Sequence, residues 1–352
     1  MHERKSTHML IRPIRLEEKE LYNSAVNHPV QTWQWGEFQK TRGRKVERIG
    51  FFEDGQIKQA LQVFFKPVPK FDQFTIGYCP RAFTPNSDQL SALKQIAEQH
   101  NAIYIKLEPD TSQPISNRAK LKPTIEFLLE NQCQLGRPQF YQHTYKVDLT
   151  QSKDDLFANL KSKTRYNVRI ALKKGVKIVE DSSKNGLKTY LDILERTLKR
   201  KGFYLHTPEY FKTMWRELGE TDLFHIFHAV YDDTPLVSWV MFKWGDKAYY
   251  PYGASRDLHR EVMPSNLMMW EMIVWAKEQG LKEFDMWGSL GSSPDKKNPW
   301  YGFHRFKEGY GGELEKYVGT FDLVLKQPHY QIIKTLDGLR WKGLRLKTKL
   351  DL

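Results

Sequence analysis

Apolar and polar positions along the first 150 residues follow the spacing of a mixed α/β unit. A helical pattern spans residues 16–27, and a second one spans residues 88–100, directly before an apolar run at residues 102–107. That order, a helix and then a buried strand, is typical of an αβ unit. Shorter alternating runs, bounded by turn-forming pairs such as Asp54-Gly55, predict further strands. These runs cover residues 46–52, 58–65, 74–79 and 143–149.

A second unit begins after residue 150 with the most regular amphipathic pattern in the chain, which predicts one helix over residues 155–174. Its apolar positions recur at multiples of four, and cations run beside them, with no acid from residue 156 to residue 179. The two stripes are Leu156, Leu160, Val168 and Leu172, and Lys161, Arg165, Arg169 and Lys173. Like charges on one helical face repel by about 0.2–0.5 kcal/mol per pair. The cations therefore form either a solvated face or a surface for a phosphate-rich partner.

The rest of the second unit mixes helical and strand patterns. An apolar helix is expected over residues 263–279, since a Pro-Ser start signal opens it and Gly280 follows it. The chain from Pro328 onward has the pattern of a basic helix, which either docks on the first unit or lies on an anionic membrane. The other patterns predict helices at residues 185–201 and 208–219, an antiparallel meander at residues 223–231, 235–244 and 246–252, and strands at residues 284–288 and 317–325.

Composition narrows the class of protein. A chain of 352 residues suggests two domains, and its net charge of +13 favours nucleic acid, phosphorylated metabolites or an acidic membrane face as partners. Two cysteines, Cys79 and Cys133, imply no disulfide framework and fit a reducing compartment. The N-terminal sequence has no secretory pattern, and no apolar run is long enough to span a membrane. A cytoplasmic protein is expected.

Motifs for several kinds of chemistry are absent from the sequence. There is no phosphate-binding GxxxxGK[ST] or GxGxxG loop, no HExxH, and no CxxC pair. The two cysteines lie far from any histidine in sequence, so a Cys–His nucleophile has no support. We therefore expect neither a metal nor a redox cofactor. Acyl transfer by direct attack of an amine on an ester needs only positioning, a proton acceptor and oxyanion stabilisation.

The segment GFHRFKEGYGG, residues 302–312, contains the most distinctive group of candidate functional residues. Arg305 and Lys307 flank the ring of Phe306, a combination that suits an anionic ligand or an oxyanion formed during reaction. The alternative is that Phe306 belongs to the core and both cations are solvated. Residue chemistry alone leaves both interpretations open.

Several segments, taken in order, resemble the FemABX family of aminoacyl-tRNA-dependent transferases, which add amino acids to the peptide of peptidoglycan precursors. They are QTWQWGEFQK, KSKTRYNVRIALKKGV, YYPYGAS, MPSNLMMWEMIVWAKEQG, FDMWG and GFHRFKEGYGGELEKYVGTFDLV, spread from residue 31 to residue 330. The resemblance implies two GNAT-like α/β domains, with the C-terminal helix returning to the first. The expected boundaries are 1–148 plus 326–352 for the first domain and 149–325 for the second. Residues 175–222 are too few for the family's coiled-coil arm, so this chain resembles the shorter type.

The resemblance also implies roles for particular residues. Phe306 and Lys307 match the pair associated with the transition state, where a lysine ammonium would stabilise the oxyanion. Glu108, before Pro109, matches an acidic position that is usually Asp, and it is the candidate general base for the attacking amine or a group that only orients it. His206 stands where an arginine is common, which weakens or alters phosphate contact.

The remaining matches form a precursor-binding set and a tRNA-binding set. Lys40 matches a lysine that contacts the phosphates of the precursor, and Tyr210 and Tyr252 match tyrosines of its groove. The full precursor-binding set is Lys40, Trp35, Tyr104, His206, Tyr210, Tyr252, Arg256 and Arg305. Charge alone, without a motif, assigns Lys161, Lys163, Arg165, Arg169 and Lys173 to tRNA.

The expected function is thus transfer of an aminoacyl group from aminoacyl-tRNA to a peptidoglycan precursor, either UDP-MurNAc-pentapeptide or lipid II. The enzyme is expected to be a monomer with possible contact to the inner membrane face. Two alternatives stay open: an acetyl-CoA-dependent GNAT acetyltransferase, although its [RQ]xxGx[GA] loop is not found, and a non-catalytic module that binds RNA or a membrane surface.

Overall fold

The computed structural model of the protein describes the backbone of residues 9–201 and 206–350 and the side chains of residues 9–199 and 206–339. The strands in this part of the chain are β1 (Leu10–Pro13), β2 (Lys45–Glu53), β3 (Gln56–Val68), β4 (Phe71–Pro80), β5 (Ala102–Glu108), β6 (Ser112–Pro114), β7 (Cys133–Leu135), β8 (His143–Asp148), β9 (Lys177–Glu180), β10 (Phe224–Tyr231), β11 (Thr234–Trp244), β12 (Lys247–Ser255), β13 (Glu283–Ser289), β14 (Glu313–Tyr317) and β15 (Phe321–Val324). The helices are α1 (Lys19–Ser24), α2 (Trp33–Thr41), α3 (Ser87–Gln99), α4 (Lys122–Glu130), α5 (Lys153–Ala158), α6 (Ser162–Lys173), α7 (Lys184–Lys201), α8 (Pro208–Leu218), α9 (Pro264–Glu278), α10 (Tyr301–Lys307) and α11 (Gln327–Leu350).

Two mixed sheets organise the described residues. The first has the strand order β1-β2-β3-β4-β5-β15-β7, and the second has the order β6-β14-β8-β13-β12-β11-β10-β9. Each sheet contains an antiparallel meander followed by one parallel pair, β4–β5 in the first and β12–β13 in the second. A parallel pair needs a crossover, and α3 and α9 supply it. The predicted meander of β10, β11 and β12 is confirmed.

The two sheets exchange strands, and three strands lie in the sheet of the opposite half: β6, β8 and β15. β8 precedes residue 149 but pairs with β13 and β14 in the second sheet. β15 precedes residue 326 but pairs with β5 and β7 in the first sheet. The predicted single strand at residues 317–325 is also two strands, because the chain turns between them at Gly319, where φ is 116°. The division into two domains at 148, 149, 325 and 326 stays a prediction.

The amphipathic pattern at residues 155–174 does not form one helix. The chain leaves the helical conformation between α5 and α6, where the Lys161 N–H donates to Gly309 O at 2.9 Å and Leu160 is buried. The Arg165 guanidinium donates to the carbonyl oxygens of Ala158 and Leu160, which lie at the interruption. Leu172, placed on the apolar stripe by sequence, is 53% exposed. Contacts from a distant segment thus override a locally continuous pattern.

The C-terminal helix α11 packs on the first sheet. The Tyr330 hydroxyl donates to Asp322 Oδ2 at 3.0 Å, and its ring meets Tyr104 edge to face at 5.3 Å. Docking on the first unit, one of the two predicted positions, is therefore observed. Of the basic residues that the sequence places in this helix, Lys334 is described, and the side chains of Arg340, Lys342, Arg345, Lys347 and Lys349 lie outside the described residues. No helix among the described residues has the length and apolar character needed to cross a bilayer.

Candidate active site

The parallel strands β12 and β13 separate partway along their length. They are paired from Lys247 with Glu283 to Tyr249 with Asp285, and there the pairing ends. Beyond this point β12 continues beside β11, and β13 continues beside β8 through a register shift. Separation leaves backbone groups of β13 without a strand partner, and buried backbone groups need one.

Lys307, at the end of α10, fills the gap between these strands. Its ammonium donates to Met286 O at 2.5 Å and to Gly288 O at 2.6 Å. The side chain is 1% exposed, and its Nζ lies 4.0 Å from the centre of the Phe303 ring and 5.5 Å from that of Tyr250. An ammonium has three N–H donors, so two are committed to β13 and one is free to meet a ligand atom.

The surroundings of Lys307 shift the pKa of its ammonium toward neutral pH. Burial lowers the pKa of the ammonium to about 7, and the nearby Asp285 carboxylate opposes that shift only in part. Asp285 is itself held by the Thr144 hydroxyl at 2.5 Å, the Trp287 N–H at 2.6 Å and the Tyr317 hydroxyl at 3.1 Å. Strongly shifted pKa values of this kind are a frequent property of catalytic groups.

The glycines after Lys307 allow α10 to turn back into β14. Gly311 has φ of 73°, a backbone conformation that favours glycine. A Cβ on Gly309 would lie 2.4 Å from the Thr164 hydroxyl oxygen, so α6 approaches this turn closely. The GYGG motif therefore packs Lys307 between α6 and the second sheet.

The predicted arrangement of two cations around the Phe306 ring is wrong. Residues 305 and 307 lie about 200° apart on a helix, so they point in nearly opposite directions. Arg305 is exposed, whereas Lys307 is buried. Phe306 packs edge to face against Tyr310 at 5.2 Å, as the core alternative expected.

Glu108, at the end of β5, is held by four hydrogen bonds. Its Oε1 accepts from the Gln139 N–H at 2.8 Å, the Phe140 N–H at 3.1 Å and the Thr320 hydroxyl at 2.7 Å. Its Oε2 accepts from the Tyr78 hydroxyl at 2.5 Å. With both oxygens engaged and 2% of the residue exposed, the carboxylate fits the orienting role better than the role of a mobile proton acceptor.

A chain of contacts connects Glu108 to the gap that Lys307 fills. Phe140, whose N–H is bound by Glu108, packs against Trp287 with ring centres 5.1 Å apart. Trp287 precedes Gly288, one of the two carbonyl partners of Lys307, and has φ of 62°, which is uncommon for a bulky residue. Backbone strain of this kind clusters at functional sites.

A second group of predicted residues meets where α2 packs on α8. The hydroxyls of Tyr210 and Tyr252 are 3.0 Å apart, and His206 stacks on Tyr210 with ring centres 3.7 Å apart. Burial against these rings lowers the pKa of the His206 imidazole, with the Arg42 cation as a further cause. His206 is therefore neutral at pH 7 and adds no positive charge to this groove.

Two arginines that sequence analysis did not single out supply positive charge beside these tyrosines. The Arg42 guanidinium lies 4.8 Å from the Tyr210 ring centre, and burial together with Arg42 lowers the pKa of Arg44. No carboxylate among the described residues forms an ion pair with either one, whereas Lys40 pairs with Glu37 at 3.0 Å. The signal in the sequence was the basic run KTRGRK, which begins at Lys40.

Three members of the predicted precursor-binding set make contacts within the protein. Tyr104 is buried beneath α11, and Trp35 is buried between Phe38 and Phe242, at 5.2 and 6.0 Å between ring centres. Arg256 is paired with Asp192 on α7 at 2.7 Å. The strands that carry Tyr104 and precede Arg256 were predicted, whereas the helix α2 that carries Trp35 was not.

The predicted tRNA-binding cations on and before α6 are only partly free. Lys161 pairs with Glu308 at 2.8 Å, Arg165 is bound to backbone carbonyls, and Arg169 lies 5.3 Å from the Phe157 ring centre. Lys163 and Lys173 are exposed, as is the aromatic ring of Tyr166. The surface is thus basic and carries an exposed aromatic, the two features that single-stranded nucleic acid binds.

Asp110 is a further titratable group that sequence analysis missed. It follows Glu108 by two residues, and its backbone N–H donates to Ala82 O at 2.7 Å. Burial raises the pKa of its carboxyl to about 6, against the effect of the Arg81 guanidinium. A cavity of about 170 Å³ lies nearby in the first half of the chain, lined in part by Arg81, Asn27 and Gln31, and it does not reach Lys307.

Comparison with known proteins shows what this chain is similar to. Residues 162–297 match the family model described as Acetyltransferase (GNAT) domain. The lipid II:glycine glycyltransferase of Staphylococcus haemolyticus is 27% identical, over 87% of this chain and 90% of its own length. The corresponding protein of Staphylococcus aureus (strain USA300) is 26% identical, over 88% and 91%.

The resemblance to the FemABX family is confirmed. The crystal structure of FemX superposes on this chain with a TM-score of 0.80 and 24% identity, over 92% of this chain and 99% of FemX. A tandem GNAT protein from the clavulanic acid biosynthesis pathway has a TM-score of 0.51 and 9% identity, which carries a fold argument only. The predicted α/β class with GNAT-like sheets is confirmed as well. Residues 175–222 contain β9, α7 and α8 among their described residues, in keeping with the type that lacks a coiled-coil arm.

Proposed function

We propose that this protein is an aminoacyltransferase that moves an aminoacyl group from aminoacyl-tRNA to an amine of a peptidoglycan precursor. The observation that carries the proposal is the position of Lys307, whose ammonium is fixed by two β13 carbonyls in the gap of a GNAT-type sheet. The staphylococcal relatives, named as glycyltransferases that act on lipid II, support the same class of reaction.

In the proposed reaction, the precursor amine adds to the ester carbonyl of the aminoacyl-tRNA. A tetrahedral oxyanion forms, and the third N–H of Lys307 stabilises it. The intermediate then collapses, the ester C–O bond breaks, and the tRNA 3′ oxygen leaves with the proton that the amine has lost. Because Lys307 is 1% exposed, the substrate carbonyl reaches it only when the rings of Phe303 and Tyr250 or the Lys307 side chain move.

The proton acceptor in this proposal is water or a substrate group, and Glu108 is a positioning residue. Two of its four hydrogen bonds hold the Gln139–Phe140 loop that packs on Trp287. An Asp at this position would have a shorter reach to the same donors. The Glu found here therefore fits the distance between β5 and this loop.

The proposed binding site for the precursor phosphates is the groove where Tyr210 and Tyr252 meet α2. Lys40, Arg42 and Arg44 supply its positive charge, and guanidinium groups suit bidentate contact with phosphate. The proposed tRNA surface is α6, through Lys163, Arg169 and Lys173. We place the protein in the cytoplasm as a monomer, with domains divided at residues 148–149 and 325–326.

The proposal is tested with purified protein, a panel of tRNAs charged with labelled amino acids, and two acceptors. UDP-MurNAc-pentapeptide and lipid II are offered separately, and label in the stem peptide is measured by chromatography and mass spectrometry. Transfer from a charged tRNA to one acceptor is expected. Transfer of label from acetyl-CoA alone would support the acetyltransferase alternative, and tRNA or membrane binding with no product would support the binding-module alternative.

A further inference from the structure

The exposed side of α11 carries an apolar stripe that its docking on the first sheet does not use. Ile332, Leu336 and Leu339 are 55%, 53% and 59% exposed and follow the spacing i, i+4, i+7. Residues at this spacing share one helical face. The side chains that dock the helix, Tyr330 and Ile333, are packed against the first sheet near Val68 and Tyr104.

The charge of this helix identifies what the stripe can contact. Between residues 327 and 350 the sequence has six cations and one acid, Asp337. That acid is paired with Arg137 of the first half at 3.2 Å. The cations are Lys334, Arg340, Lys342, Arg345, Lys347 and Lys349. An apolar stripe within a strongly basic helix is the pattern of helices that lie in the interface of an anionic bilayer.

Other occupants fit these features less well. A second copy of the chain would bring two helices of the same strong positive charge together, and like charges oppose such contact. RNA would use the cations but would leave the apolar stripe in water, since phosphate contacts supply its affinity. A lipid surface is the one partner that uses both, because acyl chains cover the apolar side chains and anionic headgroups attract the cations.

We propose that α11 docks this protein on an anionic lipid surface, with Ile332, Leu336 and Leu339 inserted at the headgroup boundary. The helix is fixed to the first sheet through Tyr330 and Asp322, so it would hold the whole body at the membrane without a spanning segment. This inference does not rest on the proposed transferase activity, although a lipid-linked acceptor would lie on the same surface.

The test is co-sedimentation of the full chain with vesicles, without tRNA or acceptor. Vesicles of phosphatidylcholine alone are compared with vesicles that also contain phosphatidylglycerol. We expect binding to the anionic vesicles to exceed binding to the neutral ones by about tenfold or more and to weaken as salt rises. The variant Ile332→Ser/Leu336→Ser/Leu339→Ser should lose most of this binding, since each buried methylene that is removed weakens insertion.

The matched control is Leu10→Ser/Leu16→Ser/Leu258→Ser, three exposed leucines, at 56%, 74% and 43%, outside this helix. It should bind anionic vesicles as the unaltered protein does. Circular dichroism checks that each variant is folded, and the single variant Leu336→Glu replaces the triple variant if the latter is not. Equal binding of the stripe and control variants, or no binding by the unaltered protein, would overturn the inference. So would a dimer in light scattering that only the stripe variant loses, which would assign the face to self-association.

Discussion

The two parallel strand pairs of this protein occupy equivalent places in their sheets and differ in how they end. β4 and β5 stay paired from Thr75 with Ala102 to Pro80 with Glu108, whereas β12 and β13 separate after Tyr249 and Asp285. At the closed end, Glu108 accepts four hydrogen bonds, two of them from the N–H groups of the Gln139–Phe140 loop. At the open end, Lys307 binds two unpaired carbonyls and retains a free N–H.

The difference shows how one strand arrangement supports two roles. Where the two strands stay paired, the residue at their end fixes a neighbouring loop. Its role is therefore to position other residues. A pair that opens exposes backbone acceptors, and a cation drawn to them becomes a preorganised donor in a site from which water is excluded. Five predictions test this contrast and the regions around it, beginning with the open end.

Lys307→Ala should give the largest loss. It removes the donor proposed for the oxyanion, and losing such a donor costs about 10²–10³ in kcat. The KM for the precursor should change little, because the precursor phosphates are bound elsewhere. Steady-state kinetics with charged tRNA and either acceptor measures both constants. Lys282→Ala, an exposed lysine before β13, is the control, and an unchanged kcat for Lys307→Ala would remove Lys307 from the mechanism.

The pH dependence of the unaltered enzyme follows from the same residue. The pKa of Lys307 is lowered to about 7, so the ammonium that stabilises the oxyanion is lost as pH rises through that value. We therefore expect kcat/KM to fall above about pH 7 once spontaneous hydrolysis of the aminoacyl ester is subtracted. A rise through this range would mean that the neutral amine of Lys307 is the active form.

Substitutions of Glu108 test the closed end. Glu108→Gln keeps an oxygen for Gln139, Phe140 and Thr320 and can still pair with Tyr78. If Glu108 is a positioning residue, Gln retains activity within about tenfold, whereas a general base replaced by Gln loses about 10²–10⁴. Glu108→Ala should lower both activity and the free energy of unfolding, by about 1–3 kcal/mol for the donors left unpaired. Kinetics and urea unfolding of both variants distinguish the two roles.

Arg42→Ala should affect the precursor rather than the chemistry. A charged hydrogen bond to phosphate contributes about 1.5–3 kcal/mol, so the precursor KM should rise roughly ten- to hundredfold with kcat nearly constant. Lys40→Ala should raise it less, because Lys40 is exposed and paired with Glu37. Arg118→Ala, an arginine of the first half outside the groove, is the control. A normal KM for Arg42→Ala would place the phosphates elsewhere.

The smallest expected effect is on stability and concerns His228 in β10. This strand lies between β11 and β9, outside both parallel pairs. Both its ring nitrogens are buried without a hydrogen-bond partner, and burial lowers the pKa of its imidazole. The folded-state pKa lies below the unfolded value of about 6.5, so the neutral ring's stability is present above that pH and decreases below it. His228→Leu should reduce the loss of unfolding free energy that occurs as pH falls below about 6.5, measured by urea titration. An unaltered pH slope would contradict this assignment.

Much of the fold followed from local patterns, and the exceptions have a common cause. The helix expected at residues 263–279 and the meander before it are observed, because continuous apolar periodicity and strong turn signals specify them. The interruption at Leu160 and the two-strand segment around Gly319 were not predicted, since each depends on a partner far away in sequence.

The candidate site likewise combines features that local sequence predicted with features that depend on distant contacts. Lys307 and Glu108 were identified from the residues that resemble the family, but their hydrogen-bond partners were not predicted. Those of Lys307 depend on where β12 and β13 separate, and those of Glu108 come from segments distant in sequence. Arg305 was placed with Lys307 because the two are near in sequence, although a helix turns them apart. Arg42 was overlooked because its proposed role depends on its contact with Tyr210, which lies more than 160 residues later in the chain.

The exchange of β8 and β15 has a consequence for how the protein assembles. Each of these strands lies inside a sheet, with neighbours on both sides, yet each is joined along the chain to the opposite half. A polypeptide severed near residue 149 would yield two fragments, each with an internal gap in its sheet and at least one strand that has nowhere to pair. Synthesis of the first half alone therefore cannot complete either sheet, because the second sheet needs β14 at residues 313–317 and the first needs β15 at residues 321–324.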